Sequence, residues 1–225
     1  MRIDIKGCIV SNDDAWVYDY FEMEYCCPSD INEQIAKANG EKLDIYINSG
    51  GGDIFAGSEV YSAIREYGGE VNIHVVGLAA SAASVIACAG SSDISPTAML
   101  MVHNVSSTAR GDYRDMDKES EILKKANETI ANAYVTKTGM SMEEALQMMD
   151  GETWLSANDA VAKGLIDKLS ESRNGKLVAS YDSGLLPQSV INKMKDHRLE
   201  DSNAVFLCKQ TQAKLNLLKL KGRVY

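Results

Sequence analysis

The chain has 225 residues, 45% of them hydrophobic and 24% charged, with 3 prolines, a globular mix long enough for one sizeable domain and an extension. A net charge of −9 argues against general nucleic-acid binding by the main body, although residues 206–225 carry Lys209, Lys214, Lys219, Lys221 and Arg223 with no acid, which leaves the preceding chain at −14. Five cysteines (Cys8, Cys26, Cys27, Cys88, Cys208) without C-x-x-C spacing, and no signal peptide or long apolar run, predict reduced thiols, a cytoplasmic location and no membrane segment; three histidines not spaced with the cysteines argue against a structural zinc site.

Residues 3–10 alternate roughly and predict a strand, with a second short one at Trp16-Val17-Tyr18. Pro28-Ser29-Asp30 opens a helix, Asp30 and Glu33 having capping-box spacing, and Gly40 stops it. Residues 43–47 form a short buried strand that runs into a glycine loop, Asn48-Ser49-Gly50-Gly51-Gly52-Asp53. Ala56, Val60, Ile64 and Tyr67 keep helical spacing, and Gly68-Gly69 follows. Val71, Ile73 and Val75 alternate with Asn72 and His74, a strand with one buried face. The next helix, 81–89, holds almost no charge and should be buried on most sides. A strand over 98–103 ends at His103, and a long amphipathic helix over 115–137 carries Leu123, Ala126, Ile130 and Ala133 on one stripe. Ser141 with Glu144, and Ser156 with Asp159, start two more helices, and a final strand is expected at Leu165-Ile166. Strands alternating with helices indicate an α/β domain with largely parallel pairing. The pattern weakens after Ser170, which divides the chain into a domain over 1–170 and a C-terminal extension over 171–225, partly ordered or helical.

Three segments carry possible chemistry. Ser81 stands where a strand turns into a helix, in Gly77-Leu78-Ala79-Ala80-Ser81-Ala82-Ala83-Ser84. A serine hydroxyl needs a base to take its proton, and histidine held by a carboxylate is the usual one near neutral pH. His103 is the candidate, because His74 lies on a polar strand face and His197 in the charged tail. Small residues around Ser81 let a substrate carbonyl approach. The N–H of Ala82 and one from the three-glycine loop can bind an oxyanion. Each piece alone has a plainer meaning: Ser81 a helix cap, Ser84 a packing residue, the glycines a turn. No Gly-Lys-Ser/Thr follows the glycines, which argues against a nucleotide P-loop.

Taken in order, these segments resemble the Clp peptidase (ClpP) family of the crotonase-like superfamily. The matching blocks are Ile45-Tyr46-Ile47-Asn48-Ser49-Gly50-Gly51-Gly52 with Ala56-Gly57, Gly77-Leu78-Ala79-Ala80-Ser81, Met101-Val102-His103-Asn104, and Glu152-Thr153-Trp154-Leu155-Ser156-Ala157 with Gly164-Leu165-Ile166-Asp167. The resemblance implies an α/β fold of repeated β-β-α units with a long handle-type helix, here 115–137. It implies Ser81 as nucleophile, His103 as general base, and the backbone N–H groups of Gly52 and Ala82 as oxyanion donors. The third triad position falls on Glu152, two residues before the aromatic Trp154, with Asp150 as the alternative. No cofactor or metal is implied.

Departures from the family pattern narrow the expectation. Gly50 stands where the family has proline, Ala82-Ala83 replaces Met-Gly, and the first strand begins almost at once, without the family's axial loop. In these respects the chain resembles the Clp-like proteases of phage and prophage head assembly. That implies an ATP-independent serine endopeptidase processing scaffold, portal or capsid proteins in the host cytoplasm, as a ring-like homo-oligomer. Its leucine-rich basic tail could dock on an acidic partner. The alternatives are a housekeeping Clp peptidase working with a AAA+ unfoldase, and a non-catalytic assembly scaffold.

Overall fold

A computed structural model describes residues 1–171 of the chain. The expected C-terminal extension lies, from residue 172 onward, outside the described residues. The elements run β1 (Arg2–Ile9), α1 (Ala15–Tyr20), β2 (Tyr25–Cys26), α2 (Pro28–Ala38), β3 (Leu43–Gly52), α3 (Ile54–Glu66), β4 (Val71–Ala80), α4 (Ala82–Ala87), β5 (Ser91–Ile94), β6 (Met99–Val102), α5 (Tyr113–Thr138), α6 (Met142–Asp150), β7 (Thr153–Ser156), α7 (Ala157–Ala162) and β8 (Lys168–Leu169). This is the expected α/β architecture with a parallel sheet.

The sheet has the order β2-β1-β3-β4-β5-β8, all parallel. Its central strands follow from their apolar alternation: Ile3, Ile5, Leu43, Ile45, Ile47, Ile73 and Val75 all point inward and are at most 1% exposed. Helices α3 and α4 pack on β1, β3 and β4, with α2 against α3. The α3 residues Val60 and Ile64 enter that core. Burial of such side chains is worth roughly 1.5–3 kcal/mol each.

Strand β4 has two partners. Its first half, Asn72 to Val75, pairs with Ser91 to Ile94 of β5; its second half, Leu78 to Ala80, pairs with Met99 to Met101 of β6. The switch falls at an irregularity in the ladder with β3, where Ile47 faces Val75 but Ser49 already faces Ala79. Asn48 staples this bulge, its Oδ1 accepting from Leu78 N at 3.1 Å. A Cβ on Gly77 would lie 2.4 Å from the same oxygen, so a larger residue there would displace the Asn48 amide. The bulge turns β4 off the main sheet, and β6 and antiparallel β7 extend from that second half.

Several local expectations differ from the structure. Trp16-Val17-Tyr18 lies in the short helix α1, not in a strand; none of its residues is buried, and Trp16 is 68% exposed. Helix α2 starts from Cys27 and Pro28 with no side-chain cap, so Asp30 and Glu33 form no capping box; Glu33 instead pairs with Lys37. The strand expected at Leu165-Ile166 is a turn. Both N–H groups bind back to Ala160 O after the left-handed Gly164, and pairing resumes only at Lys168. Strands β2, β5 and β7 are additional. The capping boxes at Ser141/Glu144 and Ser156/Asp159 are both formed.

Helix α5 begins with a capping box of Asp112 and Asp115 and ends at left-handed Gly139. Only its second half is buried, through Ile130, Ala131, Ala133 and Tyr134; Tyr113, Met116 and Ile122 on the first half are exposed. Lys137 fastens its end to the sheet: Nζ donates to Gly90 O at 2.8 Å and pairs with Asp167 Oδ2 at 2.7 Å. Asp167 also accepts from Ser92 N. Partial burial pushes its carboxyl up, but the bonds from Lys137 and Ser92 outweigh that and hold it below the ordinary 3.8. A depressed folded-state value stabilises the fold above the unfolded value and loses that contribution as pH falls through it. Asp167→Asn should therefore lower the melting temperature by about 2–4 °C at neutral pH, corresponding to about 1 kcal/mol. Thermal melts across pH should show that difference shrinking as pH drops below about 4.

Candidate active site

The site is assembled where β4 ends. Ser81 N donates to Met101 O at 3.0 Å, continuing the β4–β6 ladder by one bond beyond Ala80. The chain then turns sharply into α4, with Ser81 at φ +55° and ψ −125°. A non-glycine residue in this region costs of order 1–3 kcal/mol and persists only when its surroundings hold it. The turn lifts the Ser81 side chain out of the sheet. Its hydroxyl makes no cap bond to the helix behind it, although Ser81 is the N-cap residue. It instead meets His103, whose Nε2 lies 2.8 Å from Ser81 Oγ. His103 reaches that position because β6 runs parallel to the end of β4 and stops one residue earlier.

The glycine segment is not a free loop. It is the end of β3, and each glycine has a different constraint. A Cβ on Gly51, at φ +88°, would lie 2.6 Å from Ala80 O, 2.8 Å from Ser81 Cβ and 3.0 Å from Ala82 N. A Cβ on Gly52, at φ +149°, would lie 2.1 Å from Ile9 O. Gly50 has open space around it. Ser49 secures the segment: its Oγ donates to Gly7 O at 2.7 Å and accepts from Gly51 N at 3.0 Å. Asp53 caps α3 through Ala56 N at 2.7 Å. The strand end of β3 is thus pressed against the Ser81 turn, with the Ala82 amide beside Gly51. The structure brings Ser81, His103, Gly52 and Ala82 to one place.

The two candidate carboxylates sit close by in sequence but make other bonds. Asp150 Oδ1 accepts from Asn104 Nδ2 at 2.7 Å, and Glu152 Oε1 accepts from Trp154 Nε1 at 3.3 Å. Among the described residues neither carboxylate is hydrogen-bonded to His103. Glu152 has a left-handed backbone, at φ +43°.

A cleft of about 520 Å³ opens beside Ser81 and His103, within the usual range for ligand sites. Gly52, Phe55 and Met101 line one side, and Leu123, Ile130 and Tyr134 of α5 the other. Phe55 and Ile122 at its margin are exposed. Its lining mixes these apolar side chains with Asp53, Asn104 and Glu119. Two of the thiols are poor alternative nucleophiles: burial pushes Cys26 and Cys88 up to about 12, leaving them neutral. Among the described residues no cluster of His, Cys, Asp and Glu could hold a metal ion, and no helix is long and apolar enough to cross a membrane.

Two neighbours of the serine escaped the sequence reading. Ser84 is fully buried and bonded rather than merely packed: its Oγ donates to Ser81 O at 2.6 Å and lies 2.8 Å from Tyr134 Oη. The one sequence signal was a tyrosine on an otherwise aliphatic stripe of α5.

Residues 32–173 match the family model described as Clp protease. The chain belongs to the Clp protease family. Over 140 residues it is 35% identical to the ATP-dependent Clp protease proteolytic subunit 1 of Chlamydia muridarum, covering 60% of this chain and 73% of that protein. It is 34% identical, with the same coverage, to the protein of the same name from Chlamydia trachomatis serovar D. Membership implies serine-peptidase activity, and proteins of this family act on protein substrates and form ring oligomers.

The glycine geometry gives a contrast in stability. Gly51→Ala should cost about 2 kcal/mol or more, from the collision with Ala80 O and the left-handed backbone. Gly50→Ala, in open space, should stay within about 0.5 kcal/mol of wild type. Denaturant melts of the two variants measure both.

Proposed function

We propose that this chain is a serine endopeptidase with Ser81 as nucleophile and His103 as general base. The observation that carries the reading is the 2.8 Å contact between Ser81 Oγ and His103 Nε2 at the strained turn beside the cleft. His103 takes the Ser81 proton as Oγ attacks the scissile carbonyl carbon. The N–H groups of Gly52 and Ala82 receive the oxyanion. His103 returns the proton to the leaving amine, and water then hydrolyses the acyl-enzyme by the same route. Glu152 orients the imidazole through Nδ1 in the active form, exchanging its Trp154 contact for one to His103; Asp150 is the alternative.

The substrates we propose are phage scaffold, portal or capsid proteins, cleaved without ATP by a ring-like homo-oligomer in the host cytoplasm. The support is the departure from the family pattern at Gly50 and Ala82-Ala83. The names of the two relatives favour a second reading, in which the chain is the peptidase partner of an ATP-driven unfoldase.

Co-expression with a candidate scaffold or portal protein, wild type against Ser81→Ala, tests the reading by mass spectrometry of the products. Defined fragments should appear with wild type and vanish with Ser81→Ala. Fragments that persist with Ser81→Ala contradict the mechanism, and degradation only with an added ATPase selects the second reading. Steady-state kinetics separate the carboxylates. Glu152→Gln should lower kcat by at least about tenfold, consistent with loss of an imidazole-orienting group. Asp150→Asn should have the smaller effect; the reverse order transfers the role to Asp150.

A further inference from the structure

Ser84 and Tyr134 sit directly behind the Ser81 turn, and neither has a part in the mechanism above. Ser84 is 0% exposed and Tyr134 1%. The directions of their bonds are fixed by chemistry. The single Ser84 hydroxyl proton goes to Ser81 O, which can only accept, so the Tyr134 hydroxyl must donate to Ser84 Oγ. The chain of bonds runs from the Tyr134 hydroxyl through Ser84 to the Ser81 carbonyl, each bond polarising the next. Burial holds the Tyr134 phenol above its ordinary value, which keeps it a donor across the working pH range.

The acceptor at the end of this chain is part of the site. The Ser81 carbonyl and the Ala82 N–H belong to one peptide unit, which is planar and trans, so the two point in opposite directions. Holding the carbonyl toward Ser84 turns the amide the other way, toward the glycine segment, where a Cβ on Gly51 would come within 3.0 Å of Ala82 N. The helix itself contributes bonds from Ser84 N at 2.9 Å and Val85 N at 3.3 Å to the same carbonyl. Helix α4 is only 6 residues long, however, and its first residue follows a backbone in a strained region. A side-chain brace from the longer α5 gives that peptide an anchor outside α4.

We propose that Ser84 and Tyr134 are positioning residues that fix the Ser81–Ala82 peptide and so aim the Ala82 N–H at the developing oxyanion. The brace also ties the seating of α5 to the competence of Ser81, because Tyr134 lines the cleft as well as ending the hydrogen-bond chain. This rests on the serine-peptidase reading of the same site.

The test is the rate at which full-length protein reacts with a fluorophosphonate. Ser81 Oγ forms the bond to phosphorus, the P–F bond breaks, fluoride leaves, and the serine proton passes to His103; the phosphonyl oxygen takes the oxyanion position. Tyr134→Phe removes one oxygen and keeps the ring, and Ser84→Ala removes both bonds of the brace. Each should lower the limiting rate of inactivation by about fivefold, the worth of one neutral hydrogen bond. The half-saturating reagent concentration should stay unchanged. The double variant should be no slower than Ser84→Ala, since the two act as one unit. Unchanged limiting rates well below the melting temperature overturn the inference, as does a loss confined to reagent affinity or to thermal stability. A wild type that reacts no faster than Ser81→Ala overturns the peptidase reading and this inference with it. A reactive wild type with equally reactive variants overturns this inference alone.

Discussion

The site depends on the backbone of Ser81 being held in a conformation that an isolated chain would avoid. Three elements share that task. The Met101 carbonyl of β6 takes the Ser81 N–H, the α4 amides and the Ser84 hydroxyl take its carbonyl, and Gly51 leaves room for its Cβ. A residue in this region costs of order 1–3 kcal/mol, which is small against the core that surrounds it. Alanines at 79, 80, 82 and 83, all at most 2% exposed, let β3, β4 and α4 come close enough for the constraint to be met.

That same constraint explains why β4 switches partners. A single straight strand paired with β5 throughout would leave the turn after Ala80 without β6 and therefore without His103. The bulge around Gly77, filled by the Asn48 amide, redirects the strand after Val75, and the ladder with β6 then fixes the distance between serine and histidine. Asn48 thus lies in the same segment as the glycines it precedes, and one stretch of β3 both bends β4 and backs the turn that follows. The cleft is completed from the other side by α5, whose buried second half carries Tyr134 and whose end is fastened by Lys137.

How much of this was legible in the sequence follows from where the determining interactions are local. The alternation of Val71, Ile73 and Val75, the capping boxes at Ser141 and Ser156, and the charge-poor run after Ser81 are short-range signals, and each marks its element. Strand β5 escaped because Ser91-Ser92-Asp93-Ile94 has little apolar pattern; pairing with β4 makes it a strand. Trp16-Val17-Tyr18 looked like a strand because three bulky residues adjoin, yet among the described residues no strand pairs with them. At the site, the serine, the histidine and the glycines could be named from order and residue type. The brace of Ser84 and Tyr134 could not, because it joins positions 50 residues apart and shows in sequence only as a serine and a tyrosine on otherwise apolar surfaces. The partners of Asp150 and Glu152 were equally invisible, since both are set by side-chain orientation.

The central claim is that Ser81 is a nucleophile activated by His103. It is tested most directly by treating the full-length protein with a fluorophosphonate and mapping the adduct by mass spectrometry, in wild type and in His103→Ala. The account predicts one modified serine, Ser81, in wild type and its loss in His103→Ala. An adduct elsewhere, or equal modification of Ser81 without the histidine, would contradict it.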